Sequence, residues 1–203
     1  MMNLSKFLTV FLIGALFLTS CSDDDDDPNP ANDPEVITTM TVTLINPTDA
    51  NNVVTLNFLD PDGDIGSTSP TSNVEGELRT NTTYNGSIVL LNTTENPVER
   101  VNEEIEGEAD EHQFFYLTSD LGITTAYTDQ ECDYNEEPCE GTNARPVGIT
   151  FTLTTTDATG TGDLRVLLLH ELDKDAEGVA GGNDTNAGGE ADIDWTFENI
   201  VVQ

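Results

Sequence analysis

The two histidines of the chain, His112 and His170, are the side chains best suited to chemistry, because each stands beside a glutamate. The neighbours are Glu111 and Glu171, and imidazole and carboxylate groups are ligands that Zn²⁺ and Cu²⁺ accept. Both histidines fall at the rims of predicted strands, so the four residues are a candidate Zn²⁺ or Cu²⁺ site if those strands are neighbours. The competing interpretation is that His170, which shares a face with apolar residues, is a buried structural histidine.

A second candidate metal site is an acidic turn that places Asp60, Asp62 and Asp64 at alternate positions after a predicted strand. This spacing lets carboxylates in a tight turn converge on a hard cation such as Ca²⁺. The turn departs from the EF-hand loop, because Ile65 stands where that loop has glycine and Thr71 where it has its bidentate glutamate. Two interpretations stay open, a calcium turn of another kind and a metal-free hairpin loop.

Catalytic motifs are missing from the sequence. It contains no Gly-x-Ser-x-Gly elbow, no His-Glu-x-x-His helix and no glycine loop of the kind that cradles phosphate before a helix. Many carboxylates are present, but no pattern selects two of them as an acid and base pair. We therefore expect a protein that is not an enzyme, with a carboxylate-based hydrolase as the least favoured alternative.

The charge balance excludes one class of partner. The chain has 39 acidic and 6 basic residues, for a formal net charge of -33. Such a field repels nucleic acid and anionic membrane surfaces and attracts cations. Nucleic-acid binding is therefore excluded, while solubility and cation capture both remain as explanations of the charge.

The first 34 residues have the pattern of an exported lipoprotein. Lys6 precedes an apolar run of residues 7–18, which is shorter than the roughly 20 residues of a membrane-spanning helix, and small residues lead to Cys21. The sequence Leu-Thr-Ser-Cys resembles the bacterial lipobox, which implies a signal peptide at 1–20 and a lipid anchor on Cys21 that holds the protein to a membrane. The alternative is an ordinary signal peptide with a chance cysteine.

The segment at 21–34 is predicted to be an acidic tether. It contains five consecutive aspartates, followed by three prolines that disfavour helix and sheet. A serine and an acidic run directly after the lipidated cysteine resemble the export tag of surface lipoproteins in the Bacteroidota. The resemblance favours the cell surface over the periplasmic face of the outer membrane.

The two remaining cysteines, Cys132 and Cys139, flank a short acidic segment. Outside the cytoplasm such a pair forms a disulfide, which in the chain-entropy model contributes about 2.5 kcal/mol for a loop of this size. A two-thiol metal site is the alternative, but it lacks a second cysteine pair or a nearby histidine.

Residues 35–203 are predicted to form one all-β domain, an antiparallel β-sandwich of about eight strands with one short helix. Alternating apolar residues, β-branched enrichment and turn residues between the runs indicate the strands. The expected strands are 36–45, 53–59, 83–91, 114–118, 123–128, 147–155, 164–172 and 193–202. Helical spacing predicts a helix from Pro97, ending near Gly107, and five glycines predict a long mobile loop at 178–189.

Several segments resemble a group of Bacteroidota lipoproteins often labelled as type 1 periplasmic binding fold proteins. The segments are 35–39, 58–64, 81–87, 110–116 and 186–193. The label implies alternating helices and parallel strands, which disagrees with the strand pattern here. The resemblance implies an accessory protein of a TonB-dependent outer-membrane receptor. We therefore expect a lipid-anchored, non-catalytic protein that binds a ligand or a cation; the alternative is a structural or adhesive surface module stabilised by Ca²⁺ or by no ion.

Overall fold

The computed structural model describes residues 35–63, 67–119 and 122–203. Nine strands lie in these residues: β1 Thr39–Ile45, β2 Val53–Leu59, β3 Thr71–Glu75, β4 Thr83–Leu91, β5 His112–Thr118, β6 Thr124–Tyr127, β7 Thr150–Thr154, β8 Gly160–His170 and β9 Glu190–Val202. Sheet A has the order β3-β2-β1-β4-β7-β6, and sheet B has the order β5-β8-β9. The strand pairs within both sheets are antiparallel, so the protein is an all-β sandwich as the sequence predicts.

Sheet A buries one face and exposes the other. In β1, Met40, Val42 and Leu44 are fully buried and alternate with partly exposed residues. Their partners in β2 alternate in the same way, so the apolar sides of both strands face sheet B. The buried residues of the two sheets form one continuous core.

Sheet B is covered on both sides. One face joins the main core, and the other carries Phe115, Leu167 and Leu169 in a second apolar cluster. The chain after β8 folds back over this cluster and buries Val179 and Ala187 against it. Residues 178–189, which we predicted as a loop, contain two short 3-10 helices at Val179–Gly181 and Asp184–Asn186.

The helix α1 spans Val101–Gly107 and lies against sheet A. The side chain of Asn102 accepts a hydrogen bond from Leu90 N and donates one to Ile88 O. The predicted end of the helix at Gly107 is confirmed, but its predicted start at Pro97 is wrong. Residues 93–96 form turns and bends, and Asn92 and Glu99 exchange two backbone hydrogen bonds across them. Arg100 has an extended backbone, so the helix begins only at Val101.

The sulfur atoms of Cys132 and Cys139 are bonded, as the sequence predicts. Cys132 lies in a short 3-10 helix, Glu131–Asp133, and Cys139 follows seven residues later. The bond therefore closes a small surface loop next to Glu131.

The predictions for the N-terminal 34 residues fall outside the part of the chain that the structure describes. They concern the signal peptide at 1–20, the tether at 21–34 and the lipid on Cys21, and all three stay predictions. Among the described residues, no helix has the length and apolar character needed to cross a bilayer.

Candidate metal centre

The two histidines are cross-strand neighbours at one end of sheet B. His112 opens β5, His170 closes β8, and the antiparallel register pairs them directly. Side chains at paired positions of adjacent strands point to the same face and touch. The two imidazole rings are therefore stacked, with centroids 4.3 Å apart and an interplanar angle of 15°.

Two carboxylates complete the group. Asp192 comes from β9, where Leu168 pairs with Ile193 and Leu169 with Ala191, so Asp192 is the extra residue at a β-bulge. Glu35 precedes β1, and its backbone N–H donates to Asp192 Oδ1 at 3.4 Å. The ligand atoms that Glu35, His112, His170 and Asp192 offer all lie within 4.8 Å of one another.

The spacing of these atoms is close to that of a tetrahedral metal site. His112 Nε2 lies 3.0 Å from Glu35 Oε1 and 3.6 Å from Asp192 Oδ2. His170 Nδ1 lies 3.8 Å from Glu35 Oε2. Metal-ligand bonds of about 2.0 Å in a tetrahedron place neighbouring ligand atoms roughly 3.3 Å apart. The three separations above are each within about 0.5 Å of this value. An ion would have to draw in any wider pair of the group, for which 4.8 Å is the upper limit.

Four polar atoms in this group are buried without a normal hydrogen bond. They are His112 Nε2, His170 Nε2, Glu35 Oε2 and Asp192 Oδ2. Exposure of each of the four side chains is 6% or less. A buried polar atom without a partner costs about 1–3 kcal/mol, so the three atoms of Glu35, His112 and Asp192 need a compensating group. The fourth atom, His170 Nε2, faces Glu111 Oε2 instead. The arrangement can hold a metal ion.

The tautomer of His112 is the one in which Nε2 is free to bind a metal. Its Nδ1 lies 3.1 Å from the carbonyl oxygen of Glu108, which only accepts hydrogen bonds. Nδ1 therefore carries the proton, and Nε2 of the neutral ring presents a lone pair to the oxygens of Glu35 and Asp192. Lone pairs facing one another require a cation between them, either a metal ion or a proton on Nε2.

The surroundings shift the pKa values of the two carboxyl groups, Asp192 and Glu35, in opposite directions. Burial raises the pKa of Asp192 to about 8, and the charge of Glu35 adds to this effect. Burial acts in the same direction on Glu35, but the hydrogen bonds with His112 and Asp192, together with the charge of His112, outweigh it and lower the pKa of Glu35 to about 2. Burial opposes protonation of His112, yet the Glu35 carboxylate raises its pKa above the ordinary value.

The buried side chain of Lys174 holds the backbone at His112 in place. Lys174 Nζ donates to the carbonyl oxygens of Ala109 and His112, at 2.6 and 2.8 Å. It also lies 2.9 Å from Glu131 Oε1, and Glu131 in turn pairs with Arg145 at 3.1 Å. The start of β5, which carries His112, is thereby fixed to the disulfide loop.

The structure brings the two predicted histidines together, but the buried group contains neither of the predicted carboxylates, Glu111 and Glu171. Glu111 is not part of the buried group; its Oε2 lies 3.4 Å from His170 Nε2, on the outer side of the ring. Glu171 is exposed and has a left-handed backbone, with φ of 52°, which directs the chain away from the strand. Sequence reasoning missed Glu35, which precedes the first strand, and Asp192, because the regular alternation of a strand does not reveal the bulge.

The acidic turn is only partly described. Asp62 Oδ2 accepts hydrogen bonds from the backbone N–H groups of Ser67 and Thr68, at 2.8 and 3.0 Å. Asp60 is buried, with 6% exposure, while Asp64 lies outside the described residues. These two bonds show that the Asp62 carboxylate stabilises a turn. The Ca²⁺ site formed by the three aspartates stays a prediction.

A surface cleft of about 660 Å³ lies apart from the metal centre, lined in part by Tyr127, Pro146 and Gly182. Its size suits a small molecule. However, the carboxylate of Asp129 in its wall already accepts from Gly148 N, Thr150 N and the Tyr134 hydroxyl. The buried centre therefore offers the stronger functional signal.

No protein-family model, curated protein or solved structure matches this chain.

Proposed function

We propose that this protein is a non-catalytic, metal-binding protein of the cell envelope, and that Glu35, His112, His170 and Asp192 bind one Zn²⁺ ion. The observation that carries the proposal is that Glu35, His112, His170 and Asp192 offer ligand atoms within 4.8 Å of one another, and that Glu35 Oε2, His112 Nε2 and Asp192 Oδ2 are buried there without a normal hydrogen bond. An ion at their centre would satisfy all four residues at once.

The ligand set favours Zn²⁺ over the other candidates. Two imidazoles and two carboxylates fall within the range that Zn²⁺ accepts. Ca²⁺ takes six to eight oxygen ligands, and Cu²⁺ prefers a square-planar arrangement, so both fit four clustered ligands less well. Four protein ligands also leave no open position for a substrate, which supports binding over catalysis.

Calorimetric titration of the purified, metal-free protein with Zn²⁺ is expected to show one tight equivalent. The change His112→Ala removes a ligand, and Asp192→Asn removes the charge of another, so each should weaken the affinity by at least about 100-fold. Titration with Cu²⁺ and Ca²⁺ under the same conditions ranks the three ions.

The matched control is Asp194→Asn, on the same strand as Asp192. Asp194 is bound to Arg165 on the surface, at 2.6 Å, and is not part of the buried group. This variant should keep the wild-type affinity. Wild-type protein that binds none of the three ions, or an Asp194→Asn variant as weak as Asp192→Asn, would contradict the proposal.

The role in the envelope rests on the sequence. The leader and Cys21 support a lipid-anchored protein of the outer membrane, with the cell surface favoured, and the family resemblance supports an accessory of a TonB-dependent receptor. In that setting the net charge of -33 would concentrate cations near the protein. The alternative is a structural or adhesive surface module in which the ion only stabilises the fold.

The lipid anchor has a direct test. In cells that express the Cys21→Ser variant, the protein should leave the membrane fraction, because the residue that accepts the lipid is gone. The wild-type protein should incorporate labelled fatty acid and remain with the membrane. Equal membrane retention of both proteins, with no fatty acid on the wild type, would exclude the anchor.

A further inference from the structure

We propose that a second, outer cation position lies beside the buried centre, formed by Glu108, Glu111 and Nε2 of His170, and that Zn²⁺ reaches the buried ligands through it. This inference rests on the proposed Zn²⁺ site. His170 is then the ligand that the two positions share.

The buried centre needs an access route. The side chains of Glu35, His112 and His170 are 6% exposed or less. An ion from solvent must therefore pass a residue that reaches both the surface and the centre. His170 meets this condition, because the carboxylate on the outer side of its ring belongs to Glu111, whose side chain is 47% exposed.

The two nitrogens of His170 face two different carboxylate groups. Nδ1 lies 3.8 Å from Glu35 Oε2 in the buried centre, and Nε2 lies 3.4 Å from Glu111 Oε2. The ligand atoms of Glu108, Glu111 and His170 also lie within 4.8 Å of one another. Nε2 is buried and makes no normal hydrogen bond in the described part of the protein, so it is available to an ion held by the two glutamates.

The chemistry of imidazole makes the outer and the buried position exclusive of each other while the ring of His170 is neutral. A neutral ring binds a metal through one nitrogen and carries its proton on the other. An ion at the outer position binds Nε2 and leaves the proton on Nδ1. When the ion moves inward, it binds Nδ1, that proton passes to solvent, and Nε2 takes up another. No net charge or proton is gained by the ring.

Once the buried centre is loaded, the protonated Nε2 would donate to the Glu111 carboxylate. Ligating histidines commonly donate their second N–H to a carboxylate, which fixes the ring. Glu111 would therefore first bind the incoming ion and afterwards orient His170. The alternative is that Glu111 only orients the ring, and the two roles have different kinetic consequences.

The experiment measures the rates of Zn²⁺ uptake and release by the purified, metal-free protein, using stopped-flow competition with a chromogenic chelator. The double variant Glu108→Gln/Glu111→Gln is expected to slow uptake by about tenfold. Its release rate combines two opposite effects, because losing the access route slows release and losing the carboxylate that orients His170 speeds it. The single variant Glu111→Gln, at an exposed position, gives a second reading if the double variant is unstable.

The control is Glu106→Gln/Asp110→Asn. It also removes two negative charges from this segment, but it leaves the outer position intact. It should slow uptake by no more than about twofold, which isolates the effect of local charge. If Glu111 only orients the ring, the test variants will release Zn²⁺ faster with unchanged uptake, and the inference is overturned. Wild-type protein that binds no Zn²⁺ would instead refute the proposed function.

Discussion

The metal-free protein is expected to lose stability as the pH rises from about 5 to 8, whereas Zn²⁺ should stabilise it increasingly over the same range. Asp192 has an ordinary pKa of 3.8 and a folded pKa of about 8. The folded state therefore binds more protons, and the stability this provides is present below pH 3.8 and lost as the pH rises through 8. The raised pKa of His112 acts in the same direction above pH 6.5.

Glu35 does not reverse this trend. Its pKa is lowered from 4.5 to about 2, so its contribution is lost only as the pH falls through 2, and it is constant above about pH 5. Zn²⁺ displaces protons from its ligands, so its affinity should rise with pH.

Calorimetric melting from pH 5 to 8, in chelator and in excess Zn²⁺, checks both trends. Zn²⁺ at 100 times its Kd should add about 2.7 kcal/mol, or roughly 5 to 10 °C in Tm. Asp192→Asn is the control and should flatten the pH dependence of the metal-free protein. A metal-free Tm that does not change with pH, together with no effect of Zn²⁺ on Tm, would show that neither a proton nor a metal stabilises the buried centre.

Replacing Lys174 by Met should destabilise the protein by about 3–5 kcal/mol, since it removes one partner of a buried ion pair. The side chains of Lys174 and Glu131 are 0% and 3% exposed. The substitution removes the Lys174 donor from the carbonyls of Ala109 and His112 and leaves Glu131 paired with Arg145. Urea denaturation followed by circular dichroism measures the loss.

Two comparisons separate this effect from the loss of any positive charge. Arg79→Met breaks an ion pair with Asp49 whose side chains are 52% and 34% exposed, so it should cost about 1 kcal/mol at most. The double variant Lys174→Met/Glu131→Gln should cost less than the two single changes added together. A Lys174→Met protein within about 1 kcal/mol of the wild type would mean that the buried pair contributes no net stability.

The strands of sheet A were predictable because one of their faces meets solvent. Residues such as Met40 and Val42 recur at every second position, and the residues between them are polar. In sheet B the pattern breaks down, because Leu167, Leu168 and Leu169 are all buried between the core and the segment that covers the second face. The edge strand β3 was missed, since its residues are mostly exposed and backbone pairing with β2 defines it.

The candidate site was predictable only to the level of its histidines. Their positions at strand ends could be read from the sequence, and adjacency of β5 and β8 then brought them together. Asp192 could not be identified, because the regular alternation of β9 gives no sign of the bulge that turns its side chain toward the interior. Glu35 could not be identified either, because it precedes the first strand and reaches Asp192 across 157 residues.

That separation also determines when the site can form during folding. Glu35 and Asp192 are 157 residues apart in the sequence, near its two ends in the domain. The ligands therefore meet only after the chain between them has closed into a loop of that length. We expect these contacts to form late, after the transition state for folding, because closing so long a loop costs more chain entropy than forming a local contact. An ion bound there would leave the folding rate almost unchanged and would slow unfolding, because the ligands must separate before the chain can open. The metal would thus lengthen the lifetime of the native state without guiding the chain toward it.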